Sequence, residues 1–127
     1  SDPVLIDKLL KIYFKKKVDY LCNTLPRTFA DGFDIDIFNM NSLRLAYENA
    51  VSKYDREHVT SYLLRSKRIT KYNYKSNTNY SKLRITLDYE KDLKLMRDIV
   101  KEFYPNKNFS WKKITNKLIK MGKNAYN

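Results

Sequence analysis

Apolar positions recur along this chain in two periods, and the switches between them mark the elements. Asp2 followed by Pro3 reads as a helix N-cap with proline in the first turn. The spacing of Leu5, Ile6, Leu9, Leu10 and Tyr13 then predicts a helix to about Phe14. Val18, Tyr20 and Cys22 alternate with Asp19 and Leu21, which predicts a short strand. A loop, NTLPRTFADG, spans Asn23 to Gly32. Beyond it Phe33, Ile35 and Ile37 face one side of a second strand, with Asp34 and Asp36 on the other. Asn41 is expected to cap a helix whose buried stripe is Leu43, Ala46, Tyr47, Ala50 and Val51. A short helix is expected from about Arg56 to Leu64, started by Asp55. Ile69–Tyr74 and Leu83–Leu87 read as strands around a polar Ser/Asn/Thr turn. Leu93, Met96, Ile99, Val100 and Phe103 predict a long helix stopped by Pro105. Trp111, Ile114, Leu118 and Met121 mark a closing helix.

Strands separated by helices imply an α/β fold with a mixed sheet flanked by helices. The chain opens on a helix without the strand that would precede it, and about four short strands make a thin sheet for this many helices. The 127 residues are therefore expected to be one domain, or a piece of a larger α/β domain.

Composition narrows the function classes. A hydrophobic share of 43% with 14% aromatic residues is that of a folded protein and not of a disordered tail. No apolar run approaches the roughly 18 residues a membrane span needs. The basic residues of SDPVLIDKLLKIYFKKK follow the apolar ones, the wrong order for a secretory signal. The single cysteine, Cys22, fits a reducing cytoplasm. The net charge of +12 would suit nucleic acid if the basic residues were clustered. They are spread along the whole chain, with small groups at Lys15–Lys17 and Lys112–Lys113, so lysine reads as a solubiliser and nucleic acid is not expected as a partner.

The sequence holds no glycine-rich phosphate loop and no Cys/His cluster, and one histidine excludes a multi-histidine zinc site. Three polar segments can carry chemistry. In GFDIDIF, Asp34 and Asp36 share a strand face and could hold a cation or sugar hydroxyls, or be the solvated side of an edge strand. In DREHVT, Glu57 and His58 could face a substrate or simply start a helix. In LRITLDYEKDL, Arg84, Thr86 and Asp88 share a polar face. Asp88 sits at the end of the segment where open α/β sheets gather ligands, and could hold Mg²⁺ or cap the following helix.

Taken in series, NTLPRTFADGFDIDIF, DREHVTSY and ITLDYEKDL resemble the cytidylyltransferases called spore coat polysaccharide biosynthesis protein F, relatives of CMP-Kdo synthetase. The corresponding family segments are like NTLPRTYPRGLDVEVF, REHVTPY and VDTPEDL. The similarity runs from about Asp2 to Trp111. It implies a nucleotide-diphospho-sugar transferase fold, Rossmann-like and of GT-A type. The activity it implies is transfer of CMP from CTP to a sugar or sugar acid, with release of pyrophosphate, for surface polysaccharide biosynthesis. By the same resemblance Asp88 matches a metal-holding aspartate for Mg²⁺. Arg27, Asp34 and Asp36 would lie around the sugar, Glu57 and His58 match the EHVT segment, and Arg84 would be near phosphates or a sugar carboxylate.

Two departures accompany it. Tyr89–Glu90 replace the Thr-Pro that follows the family's aspartate. The family's opening strand and basic CTP loop, and the DCPL-like segment bearing its other metal aspartate, have no counterpart here. The chain is thus expected to be the C-terminal half of such an enzyme, inactive alone and a possible homodimer. The alternatives are a basic nucleic-acid-binding module, in which some of the eleven tyrosines stack on bases, and a non-catalytic interaction domain pairing through a sheet edge.

Overall fold

A computed structural model describes residues 2–122. Among these residues three short strands form one mixed sheet in the order β2-β1-β3. β1 (Tyr20–Cys22) pairs antiparallel with β2 (Asp36–Phe38), Leu21 opposite Ile37, and parallel with β3 (Lys71–Asn73), Leu21 opposite Tyr72. Among the described residues six helices surround it: α1 (Pro3–Lys16), α2 (Met40–Asn49), α3 (Lys53–Glu57), α4 (Val59–Arg65), α5 (Glu90–Phe103) and α6 (Trp111–Lys120). No helix among the described residues is long and apolar enough to cross a membrane.

β1 is the centre of the molecule, and all three of its residues are buried. Alternate side chains of a strand point to opposite faces. Leu21 therefore enters one cluster with Leu5, Leu9, Ile99, Ile114 and Leu118, from α1, α5 and α6. Tyr20 and Cys22 enter another with Ala46 and Leu63, from α2 and α4. The alternation expected for β1 is present, but Leu21 is as buried as its neighbours because helices cover both faces. Leu9, Leu21, Leu63 and Leu118 are fully buried; truncating one such side chain to alanine costs about 2–5 kcal/mol.

Asp2 caps α1, its Oδ1 accepting from the Val4 and Leu5 N–H groups at 3.0 and 3.2 Å. Its Oδ2 accepts from the Trp111 N–H at 2.8 Å, tying the first turn of α1 to that of α6. Lys17 closes α1 in the left-handed region (φ 53°), behind the cationic last turn of Lys15 and Lys16.

Several boundaries differ from those expected. The cap of α2 is Asn39 and not Asn41: the Asn39 Oδ1 accepts from the Ser42 N–H at 2.8 Å, and Asn41 lies exposed two residues later, inside the first turn. The buried stripe of α2 runs through Ser42, Ala46 and the capping Ala50. Tyr47 and Val51 face solvent, 76% and 90% exposed, since small side chains are what fit closely against the sheet. The single helix expected at 56–64 is two, broken at His58. Ser52 caps the first, and Asp55 is buried inside it, paired with Arg65. Leu83–Leu87 is not a strand. Only Arg84 forms a bridge, to Asp31.

Candidate functional site

The loop after β1 and the segment before α5 come together through that bridge. The Asp31 N–H donates to the Leu83 carbonyl at 2.9 Å, and the Ile85 N–H donates to the Asp31 carbonyl at 2.7 Å. The approach depends on Gly32, whose φ is +114°. A Cβ there would lie 2.4 Å from the Ile85 carbonyl oxygen, so only glycine permits this contact.

On the loop side, Arg27 grips Asp34 with both terminal nitrogens, the Nη2–Oδ2 bond measuring 2.9 Å, and lies 3.3 Å from Asp31. A forked guanidinium–carboxylate pair of this kind fixes both planes. Asp36, two residues further on, accepts instead from the buried Tyr20 hydroxyl. Burial and then the Asp36 carboxylate push the Tyr20 phenol well above its ordinary range, so it stays protonated and donating. Asp34 and Asp36 are both exposed, but Asp34 lies outside β2 and each carboxylate serves a different partner.

On the other side, Arg84 donates from Nε to the Thr86 hydroxyl and from Nη2 to Asp88 Oδ2 at 3.0 Å and Asp92 Oδ2 at 2.9 Å. Asp92 reaches back to accept from the Asp88 and Tyr89 N–H groups, both at 3.0 Å, and so performs the capping of α5. Burial works to raise the Asp92 carboxyl. The two N–H donors and the Arg84 charge outweigh it and hold the group below the usual carboxylate range. Asp88 is relieved of the capping role and keeps a side chain 65% exposed. The Arg84 guanidinium lies 5.1 Å from the centre of the Tyr89 ring, so the tyrosine in place of threonine packs on the same arginine.

Glu57 and His58 stand apart from this. Glu57 pairs with Lys53 at 3.7 Å, and His58 lies on Tyr54 with ring centres 4.6 Å apart. No hydrogen bond or ion pair among the described residues joins them to the Arg27 or Arg84 groups. Asp31 and Asp92 are the partners that spacing did not single out. Asp92 had a legible signal, an acid at the third position of a helix without a side-chain cap; Asp31 had none, because its role is a backbone bridge to a distant segment.

Among the described residues no three His, Cys, Asp or Glu side chains gather into a metal cage. Mg²⁺ does not need one, since it commonly takes one or two carboxylates and fills its shell with water and substrate phosphate. Asp88 suits that use: exposed, with one oxygen on Arg84 and placed beside a guanidinium that a phosphate would also attract.

No protein-family model matches the chain. It is 33% identical over 102 residues to an uncharacterized protein of Methanocaldococcus jannaschii, a match covering 78% of this chain and 41% of the relative. Its structure is similar to that of a cytidylyltransferase from Leptospira borgpetersenii, with a TM-score of 0.87 and 24% identity, over 95% of this chain and 52% of the other. The chain thus has the fold of that cytidylyltransferase and spans about half of the solved chain's length.

Proposed function

We propose that this chain is the sugar-side and metal-bearing half of a cytidylyltransferase, and that the complete enzyme transfers CMP from CTP to a sugar or sugar acid for surface polysaccharide synthesis. The observation that carries the reading is the joining of the Arg27–Asp34 and Arg84–Asp88 groups through the Asp31–Arg84 bridge, on a fold shared with a solved cytidylyltransferase.

In the reaction, a sugar hydroxyl oxygen bonds to the α-phosphorus of CTP. The bond from that phosphorus to the bridging oxygen breaks, pyrophosphate leaves, and the hydroxyl proton passes to solvent. Mg²⁺ held by Asp88 would offset charge on the phosphates. Arg84, held in a fixed plane by Thr86, Asp88 and Asp92, presents a cation ready for a phosphate or a sugar carboxylate, so little reorganisation precedes reaction. Arg27 orients Asp34, which accepts from sugar hydroxyls. Glu57 and His58 enter this reading as substrate-binding residues on the resemblance of the EHVT segment alone.

The 127 residues contain no glycine-rich phosphate loop, so the chain alone is expected to release no pyrophosphate from CTP. With the complete polypeptide, CTP, Mg²⁺ and a panel of sugar acids, pyrophosphate release should appear. It should fall about 100-fold or more in Asp88→Asn, with an unchanged melting temperature, because Asp88 is exposed and makes a single ion pair. Turnover by the isolated chain, or full activity in Asp88→Asn, would overturn the proposal.

A further inference from the structure

A cleft of about 590 Å³ opens between the first turns of α1 and α6 and the segment after β3, away from the Arg27 and Arg84 groups. That volume lies within the range of small-molecule sites. None of the residues assigned above to sugar, phosphate or metal lines it.

One wall is aromatic. The Trp111 ring lies 4.7 Å from Phe29 and 6.0 Å from Tyr80, centre to centre, and Trp111 and Tyr80 are half-buried. Another wall carries Thr115, 1% exposed. Its hydroxyl is the one buried side-chain oxygen or nitrogen without a hydrogen-bond partner among the described residues. Buried polar groups are almost always paired; the oxygen itself is closed to solvent, so a ligand in the cleft would pair with it only as the Thr115 side chain turns toward the opening.

The charge of the cleft is cationic. Lys8 lies 5.3 Å from the Tyr74 ring centre and Lys112 5.8 Å from that of Trp111. Among the described residues the one acid in the lining, Asp2, has both oxygens engaged by the N–H groups of Val4, Leu5 and Trp111. Asn77 and Asn116 add amide donors and acceptors.

We infer that this cleft binds a sugar phosphate. The C–H face of a pyranose packs on Trp111 and Tyr80. Its hydroxyls meet the two amides and satisfy Thr115, and a dianionic phosphate answers two lysines. The site needs neither CTP nor metal, so it stands independently of the transferase reading.

Trp111 is the single tryptophan, so its fluorescence reports on this cleft. The 127-residue chain, in EDTA, is titrated with glucose 6-phosphate, glucose 1-phosphate and mannose 6-phosphate, and with glucose, inorganic phosphate and CMP for comparison. At least one sugar phosphate should give a saturable change, with neither glucose nor phosphate matching it. Lys8→Ala should weaken that binding about tenfold, the size of one lost charge-assisted hydrogen bond. Thr115→Val should also weaken it and Thr115→Ser should retain it, with circular dichroism confirming that each variant is folded. Saturation by none of the three sugar phosphates would overturn the inference. So would an equal response to inorganic phosphate, which means simple anion binding, or tighter binding of CMP, which means a nucleotide site.

Discussion

Asp88 and Asp92 lie four residues apart and have opposite tasks. Asp92 is 7% exposed and spends one oxygen on two backbone N–H groups and Arg84, so it holds the turn in shape. Asp88 is left facing solvent, which is what a group that receives a ligand requires. Asp55 is the other carboxylate whose environment sets its behaviour. Its hydrogen bond with Arg65 first, and that with the Ser52 side chain second, hold it well below its ordinary value of 3.8. A carboxyl with a depressed folded-state value stabilises above the unfolded value and loses that contribution as pH falls through the folded one. At pH 7, Asp55→Asn should therefore melt at a lower temperature than the wild type. The gap should close as the pH drops below about 4. Melting temperatures from circular dichroism between pH 7 and pH 2 check this, and a gap independent of pH would show that the ion pair is not its source.

At the level of elements, periodicity served the helices well and the strands less so. α1, α5 and α6 fall within a few residues of where their apolar spacing places them, because a long amphipathic stripe can be buried in only one way. α2 shows where pattern misleads. Tyr47 and Val51 match the template but face water, and Ser42, which the template scores as polar, is 2% exposed. Its cap is equally specific: Asn39, which receives both the Ser42 N–H and the Ser42 hydroxyl at 2.8 Å. Asn39→Ala should cost about 1 kcal/mol, whereas Asn41→Ala should stay within about 0.5 kcal/mol. Urea unfolding of the two variants distinguishes them, and the reverse order would move the helix start. The expected strand at 83–87 reduces to one bridge, between Arg84 and Asp31 of the loop after β1.

At the scale of the whole molecule, the candidate site is assembled by one close approach. Gly32 passes over Ile85, bringing the Arg27–Asp34 pair and the Arg84–Asp88 pair onto neighbouring segments. Gly32→Ala would put a Cβ 2.4 Å from the Ile85 carbonyl oxygen at a φ of +114°. The substitution should cost about 1–3 kcal/mol of stability. It should also lower activity of the complete enzyme more than an equally destabilising substitution in the core, such as one at Leu63. Comparing melting temperature and turnover for the pair tests this; parallel losses would mean that Gly32 matters for stability alone.

The sequence alone determined the α/β class, the order of the long helices and the cap at Asp2, and it nominated the candidates Arg27, Asp34, Asp36, Glu57, His58, Arg84 and Asp88. These rest on period, on local cap chemistry and on short segments read in series, all of which act within a few residues of chain. Tertiary structure decided the rest. That Leu21 is buried on the second face of β1 follows from helices on both sides of the sheet. That Asp36 is tied to Tyr20, that Asp92 frees Asp88, and that Glu57 and His58 stand apart depend on which distant segments meet. The cleft around Trp111 and Thr115 draws its walls from both ends and the middle of the chain. No window along the sequence contains it, because only the packing of α1 against α6 brings those residues together.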